Sequence, residues 1–171
     1  MARIVLGWRE WVALPDLGIA AARAKIDSGA RSSALHVDRQ WRFVEAGAPW
    51  VGFSIRPDLA GGEAIEVAAP VYDEREVTDS GGRRTRRVFL RTRLRLAGVE
   101  REIEINLTDR GGMRFPMLLG RTAMARLFTV DPARSFMHGR PGPAGRGTRI
   151  VHDGARARLA PPSFLSRRSP P

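Results

Sequence analysis

Two aspartates in this 171-residue chain stand in the same local context, Asp27-Ser28-Gly29 and Asp79-Ser80-Gly81. A carboxylate on a tight turn of small residues is what an acid protease needs, provided a second carboxylate comes close enough to share one proton with it. Two such groups in contact cannot both ionise, so their pKa values separate. The ionised member activates water and the protonated member polarises the scissile carbonyl. The triplet alone is a weak signal, as its double occurrence shows, and the flanking residues distinguish the copies. Asp27 follows Ala22-Arg23-Ala24-Lys25-Ile26 and precedes Gly29-Ala30, which predicts a turn at the end of a buried strand, open to the close approach of another backbone. Asp79 lies in Asp79-Ser80-Gly81-Gly82 between charged segments, the composition of an ordinary hairpin turn. Asp27 is the catalytic candidate and Asp79 a turn residue.

The elements that must carry Asp27 read as short strands over Arg3 to Gly7, Glu10 to Leu14, Ala22 to Ile26, Ala34 to Val44 and Trp50 to Ile55, separated by Gly, Pro and Asp. Val71 to Val77 and Val88 to Leu96 flank the Asp79–Gly82 turn and predict a long hairpin. In Glu100 to Leu107, Glu102, Ile103, Glu104 and Ile105 alternate with period two, as in a half-buried strand. Thr122 to Leu127 is the one helical stretch, with Ala123, Met124 and Leu127 on one side.

Ile26-Asp27-Ser28-Gly29-Ala30, followed much later by Met117-Leu118-Leu119-Gly120-Arg121, resembles the retropepsin pair of motifs: a catalytic Asp-Thr/Ser-Gly-Ala, then two apolar residues, Gly and Arg. The match is closer to the bacterial retropepsin-like (RimB-like) family long labelled ATP-dependent zinc proteases. That resemblance runs through Leu6 to Glu10, Lys25 to Leu35, Val77 to Gly82, Leu118 to Met124 and Val130 to Ser135, nearly all of residues 5 to 138. It implies a mainly β, retropepsin-like acid-protease barrel with one short helix near its C-terminal end. It makes Asp27 the catalytic acid, Ser28 the hydroxyl bridging two loops across a dimer axis, and Gly29 a backbone contact to substrate. Leu118, Leu119 and Gly120 would pack under the loop, and Arg121 would start the helix and brace the fold. The stretch from Val71 to Leu90 would be a flap with Gly81 and Gly82 at its tip, so that Ala30, Arg31, Asp79, Ser80, Gly81, Gly82 and Arg84 line the substrate site.

Arg31 departs from the viral pattern, in which an acidic residue there pairs with the Arg of the second motif. Arg121 must find another partner, and Arg31 is free to receive an acidic substrate side chain. Since the domain supplies one credible catalytic Asp, the second comes from another copy, which predicts a homodimer with the site on its two-fold axis.

The family label promises zinc and ATP, and the residues support neither. His36, His138 and His152 are the only histidines, and there is no Cys and no His-Glu-x-x-His. The sole lysine, Lys25, is not preceded by the glycines of a phosphate-binding loop. No metal and no cofactor is expected. Seven arginines lie between Arg83 and Arg95 with no acid among them. They read either as a solvated strand face or as a row of carboxylate receptors for a polyanionic peptide, since a guanidinium pairs bidentately with a carboxylate. Some members of the family are encoded with ATP-grasp glutamate ligases and are thought to act on glutamate-tailed ribosomal protein. On that basis oligoglutamate trimming, and association with a ribosome or such a ligase, are expectations. Trp8, Trp11, Trp41 and Trp50 read as core or dimer packing, with a cleft lining as the alternative for the first two.

The formal net charge is +11, which predicts salt-sensitive attraction to polyanions. From Gly139 onward the chain is rich in Arg, Pro and Gly, with seven Arg against Asp153 alone. That predicts a disordered basic tail over 139–171 behind a domain of 1–138. No apolar run reaches the length of a signal-peptide core or membrane span, so a soluble, cytoplasmic protein without membrane contact is expected. Two functions follow: an aspartic peptidase acting on peptide or protein, or a basic module that binds ribosome, RNA or another polyanion without catalysis.

Overall fold

The computed structural model describes residues 2–57, 61–109 and 114–142, together with the strand 149–151. Thirteen strands are present among the described residues: β1 (Ile4–Gly7), β2 (Arg9–Leu14), β3 (Ile19–Asp27), β4 (Ser33–His36), β5 (Arg39–Glu45), β6 (Ala48–Ile55), β7 (Ile65–Pro70), β8 (Asp73–Thr78), β9 (Arg84–Leu96), β10 (Val99–Thr108), β11 (Met117–Gly120), β12 (Phe128–Asp131) and β13 (Arg149–Val151). One short α-helix accompanies them, α1 (Arg121–Met124). The mainly β expectation holds, as does the lone helix near the C-terminal end.

Strands pair in the order β10-β4-β11-β3-β2-β9, and β9 pairs again with β10, so six strands close into a barrel. Leu14, Ile19, Leu35, Leu90, Leu94, Ile105 and Leu119 fill it and are at most 1% exposed. β8 extends the sheet beyond β9. An inserted sheet of order β5-β6-β7 covers one side, and its Val51, Phe53 and Ile55 join the same core. Closing the sheet on itself removes the unpaired edges that an open sheet of this length would expose.

The weakest seam is between β2 and β9, which are bridged through Ala13 and Arg95. Asp16, in the 3-10 turn Pro15–Leu17 between β2 and β3, pins that seam. Its carboxylate accepts bonds from the Arg93 backbone N–H (2.9 Å) and Nε (2.7 Å). Burial pushes the Asp16 carboxyl up, but the side-chain and backbone bonds from Arg93 and its charge together outweigh burial and hold it below the ordinary aspartate value. A carboxyl depressed in the folded state contributes stability that is complete above its unfolded pKa and lost as pH falls through the folded one. Asp16→Asn is therefore expected to flatten the loss of stability below about pH 4, seen by urea denaturation across an acid series.

Three expectations about elements change. The stretch from Ala34 to Val44 is two strands, because the chain leaves the barrel at Val37, whose N–H bonds Thr108, and enters the inserted sheet at Asp38, whose N–H bonds Ser54. The helix stops at Met124 rather than Leu127, since Ala125 is extended and Arg126 takes φ 70°. The tail is not wholly disordered: Arg149–Val151 pairs in parallel with Val99–Arg101 of β10. Before it, Arg140 lies 4.2 Å from the Trp11 ring centroid, and the Gly142 carbonyl accepts a bond from Arg95. Residues 143–148 and 152–171, the remainder of that expected tail, lie outside the described residues.

Candidate active site

Asp27 ends β3 at the point where β11 slots between β3 and β4. β11 runs parallel to β3, pairing Leu119 with Ile26 and Gly120 with Asp27, and antiparallel to β4, pairing Leu118 with Ala34. The loop from Ser28 to Ser32 thus leaves one strand and returns on the far side of a third. Asp27 Oδ1 accepts the backbone N–H groups of Gly29 (3.0 Å) and Ala30 (3.1 Å). These fix the carboxylate plane and leave Oδ2 without a bond among the described residues. Asp27 is partly buried, and Ser28, Gly29 and Arg31 are exposed.

The support is backbone to backbone. The Arg121 N–H donates to the Ala30 carbonyl (2.8 Å) and the Thr122 N–H to the Arg31 carbonyl (3.2 Å). Thr122 Oγ1 reinforces the second contact at 2.9 Å. Arg121 finds its partner in the Gly29 carbonyl, reached by a guanidinium nitrogen at 3.3 Å, so it braces the loop without an acidic residue. Gly120 donates its N–H to Ser33 Oγ (3.0 Å). A Cβ on Gly120 would lie 2.5 Å from the Ser32 carbonyl carbon and 2.6 Å from its oxygen. Backbone there cannot yield cheaply. Gly120→Ala is expected to destabilise by about 1–3 kcal/mol and to displace the Asp27 loop enough to lower kcat by on the order of 10²-fold. Thermal melting and turnover measured on the same preparation check both.

The second triplet builds a related Asp-capped turn in a different place. Asp79 Oδ1 accepts from Gly81 (2.9 Å) and Arg83 (3.0 Å), capping the turn between β8 and β9. That carboxylate oxygen is engaged in its own turn, while Ser80, Gly81, Gly82 and Arg84 are exposed along it. The turn lies across β2 and β9 from β3 in sheet order. No bond among the described residues joins it to the Asp27 loop.

Four of the seven arginines between Arg83 and Arg95 are ion-paired within the domain. Register sets Arg91, Arg93 and Arg95 of β9 opposite Glu104, Glu102 and Glu100 of β10. Arg91 pairs with Glu102, Arg93 with Asp16 and Glu100, Arg95 with Glu100, and Arg86 with Glu74. These four guanidiniums are occupied by the domain's own acids, and Arg87 bonds the Asn106 amide oxygen. Arg83 and Arg84 are exposed and have no side-chain partner among the described residues.

Two buried polar residues outside the two motifs hold the surrounding chain in place. Asn106, 1% exposed, donates to the Ser33 carbonyl (2.8 Å) and accepts from Arg87 (3.2 Å), linking β9 to the loop platform. A polar residue inside the buried run Ile105-Asn106-Leu107 was the available signal. Glu10 is fully buried and accepts the N–H groups of Gly7 (2.7 Å), Met137 (3.1 Å) and His138 (3.5 Å). Trp8 packs edge-on to Phe115 (5.8 Å) and Trp11 against Phe136 (5.7 Å), which makes both packing residues. No group of three or more His, Cys, Asp and Glu that could hold a metal occurs among the described residues.

A family model described as RimB-like, retropepsin-like aspartic endopeptidase RimB, matches residues 5–141. Proteins named "Probable alpha-L-glutamate ligase" are similar: that of Shewanella pealeana is 37% identical over 82% of this chain and 31% of its own length, and that of Desulfotalea psychrophila is 37% identical over 78% and 29%. The chain thus spans about a third of these relatives. Among solved structures, Lpg0085 of Legionella pneumophila, of unknown function, is 26% identical with a TM-score of 0.67, covering 80% of this chain and 99% of that one.

Proposed function

The chain belongs to the RimB-like family of retropepsin-like aspartic endopeptidases, and from that premise we propose that it is an aspartic peptidase that works as a homodimer and shortens acidic peptide tails. The observation that carries the reading is the seating of Asp27 beside Gly120 of β11, with one carboxylate oxygen held by two backbone N–H groups and the other without a bond among the described residues. Asp27 of each copy supplies half of a proton-sharing pair. One carboxylate takes a proton from water as the water oxygen bonds the peptide carbon, and the other donates its proton to the carbonyl oxygen. The C–N bond then breaks as nitrogen is protonated. Ser28 ties the two loops together, and Gly29 holds substrate backbone. The β8–β9 hairpin acts as a flap that excludes water.

Two features support an acidic substrate. Arg31 beside the catalytic loop and Arg83 and Arg84 at the hairpin turn are exposed without acidic partners among the described residues. The relatives named for glutamate ligation carry a stretch similar to this chain within a longer protein, which supports a glutamate-bearing substrate and association with a ligase. The basic-module alternative loses ground because most of the β9 arginines are neutralised internally. The test is product mass on a peptide ending in several glutamates against one ending in glutamines. Shortening of the glutamate peptide at least 10-fold faster supports the reading; equal rates, or cutting of the glutamine peptide alone, removes the acidic preference.

A further inference from the structure

Arg9 opens β2 opposite Lys25 of β3. Strand alternation puts Arg9, Lys25 and Asp27 on the outer face of the sheet, while Glu10, Ala24 and Ile26 point into the core. Arg9 is therefore the diagonal cross-strand neighbour of Asp27, with a Cβ separation on the order of 7–8 Å. The Trp8 carbonyl, bonded by the Ile26 N–H at 2.8 Å, anchors this corner to the catalytic strand.

Its guanidinium is held in an unusual way. The guanidinium carbon lies 4.5 Å from the Trp8 ring centroid and 5.0 Å from that of Phe136. Arg9 Nε is buried with no hydrogen-bond partner among the described residues. No carboxylate pairs with Arg9 among the described residues, and adjacent Glu10 is turned inward onto backbone N–H groups. The ring over Arg9 is placed against backbone preference: Phe136 has φ 52°, a region a bulky residue rarely enters, and its N–H donates to the Arg9 carbonyl at 2.8 Å. A stacked guanidinium whose Nε is dry and unbonded, with no anion among the described residues, carries a desolvation cost that an arriving carboxylate offsets.

We propose that Arg9 is a carboxylate-binding subsite of the Asp27 cleft, receiving an acidic side chain of a peptide that lies across the catalytic loop. The proposal deepens the acidic-tail reading and rests on it for the identity of the ligand. The test is calorimetric binding to the full chain carrying Asp27→Asn, which cannot turn the ligand over, using acetylated tetraglutamate and tetraglutamine. Adding Arg9→Gln is expected to weaken tetraglutamate 10- to 100-fold and leave tetraglutamine unchanged. Arg9→Lys, which keeps the charge without the stacked fork, is expected to weaken it several-fold, and serves if the Gln variant melts early. Unchanged affinity, equal loss for both peptides, or no binding by the parent overturns the subsite. So does a weakened dimer in sedimentation with peptide affinity intact, which would mean that Arg9 serves a carboxylate of the second copy. If Arg9 discriminates in binding but the wild-type chain cuts neither peptide, hydrolysis fails and the subsite stands; if tetraglutamate is cut with KM indifferent to Arg9, the reverse holds.

Discussion

Asp27→Asn is expected to lower kcat by on the order of 10³-fold or more, a loss of about 4 kcal/mol of transition-state stabilisation, with thermal stability almost unchanged. Asparagine retains an oxygen that can accept from the Gly29 and Ala30 N–H groups, so the loop keeps its shape while the shared-proton chemistry disappears. A mixing experiment addresses the second carboxylate. If each site draws one Asp27 from each copy, equal amounts of wild type and variant, allowed to exchange, retain about a quarter of the activity; if each copy works alone, about half remains. Full activity in the pure variant would remove Asp27 from the chemistry altogether.

The second large effect concerns stability. Glu10 is fully buried, and its carboxylate collects three backbone N–H groups, from Gly7 at one end of the domain and from Met137 and His138 at the other. Glu10→Leu fits a similar volume but leaves those donors in a dry interior without an acceptor. The expected cost is about 3–5 kcal/mol, a fall in Tm on the order of 10 °C. Glu10→Gln, which preserves one acceptor oxygen, is expected to recover more than half of it. Urea denaturation of the three proteins, with the slope unchanged, measures this; a Leu variant within about 1 kcal/mol of wild type would mean that water reaches the orphaned groups.

Much of this fold was legible because its signals are local. Ile103 and Ile105 point inward and Glu102 and Glu104 outward, as period two requires. The β8–β9 turn falls at the second Asp-Ser-Gly. The site's outline was readable too, since Asp27 and Gly120 belong to two recognisable motifs. What escaped was pairing between distant segments. The arginines of β9 and the glutamates of β10 were each visible as patterns, but only the hairpin turn at Ala97 and Gly98, with φ 51° and 72°, brings them face to face and cancels their charge. Likewise Leu6 to Glu10 and Val130 to Ser135 each stand out in sequence, yet nothing in either announces that Trp8 bonds the Arg134 carbonyl and that Arg9 bonds Phe136. The limits of β4 and α1 were misjudged because distant partners end them: Thr108 and Ser54 bond Val37 and Asp38, and the Arg101 guanidinium takes the Ala123 and Ala125 carbonyls where the chain turns at Arg126.

The parallel pairing of β1 with β12, which aligns Ile4 with Phe128, has a consequence for the nascent chain. A ribosome releases the first strand long before its partner exists, and the cradle for Asp27 waits in the same way for Gly120. Contacts so remote in sequence form slowly and late. The polypeptide therefore remains without a built Asp27 loop through most of its own synthesis, and acquires one only as the last strands of the barrel emerge.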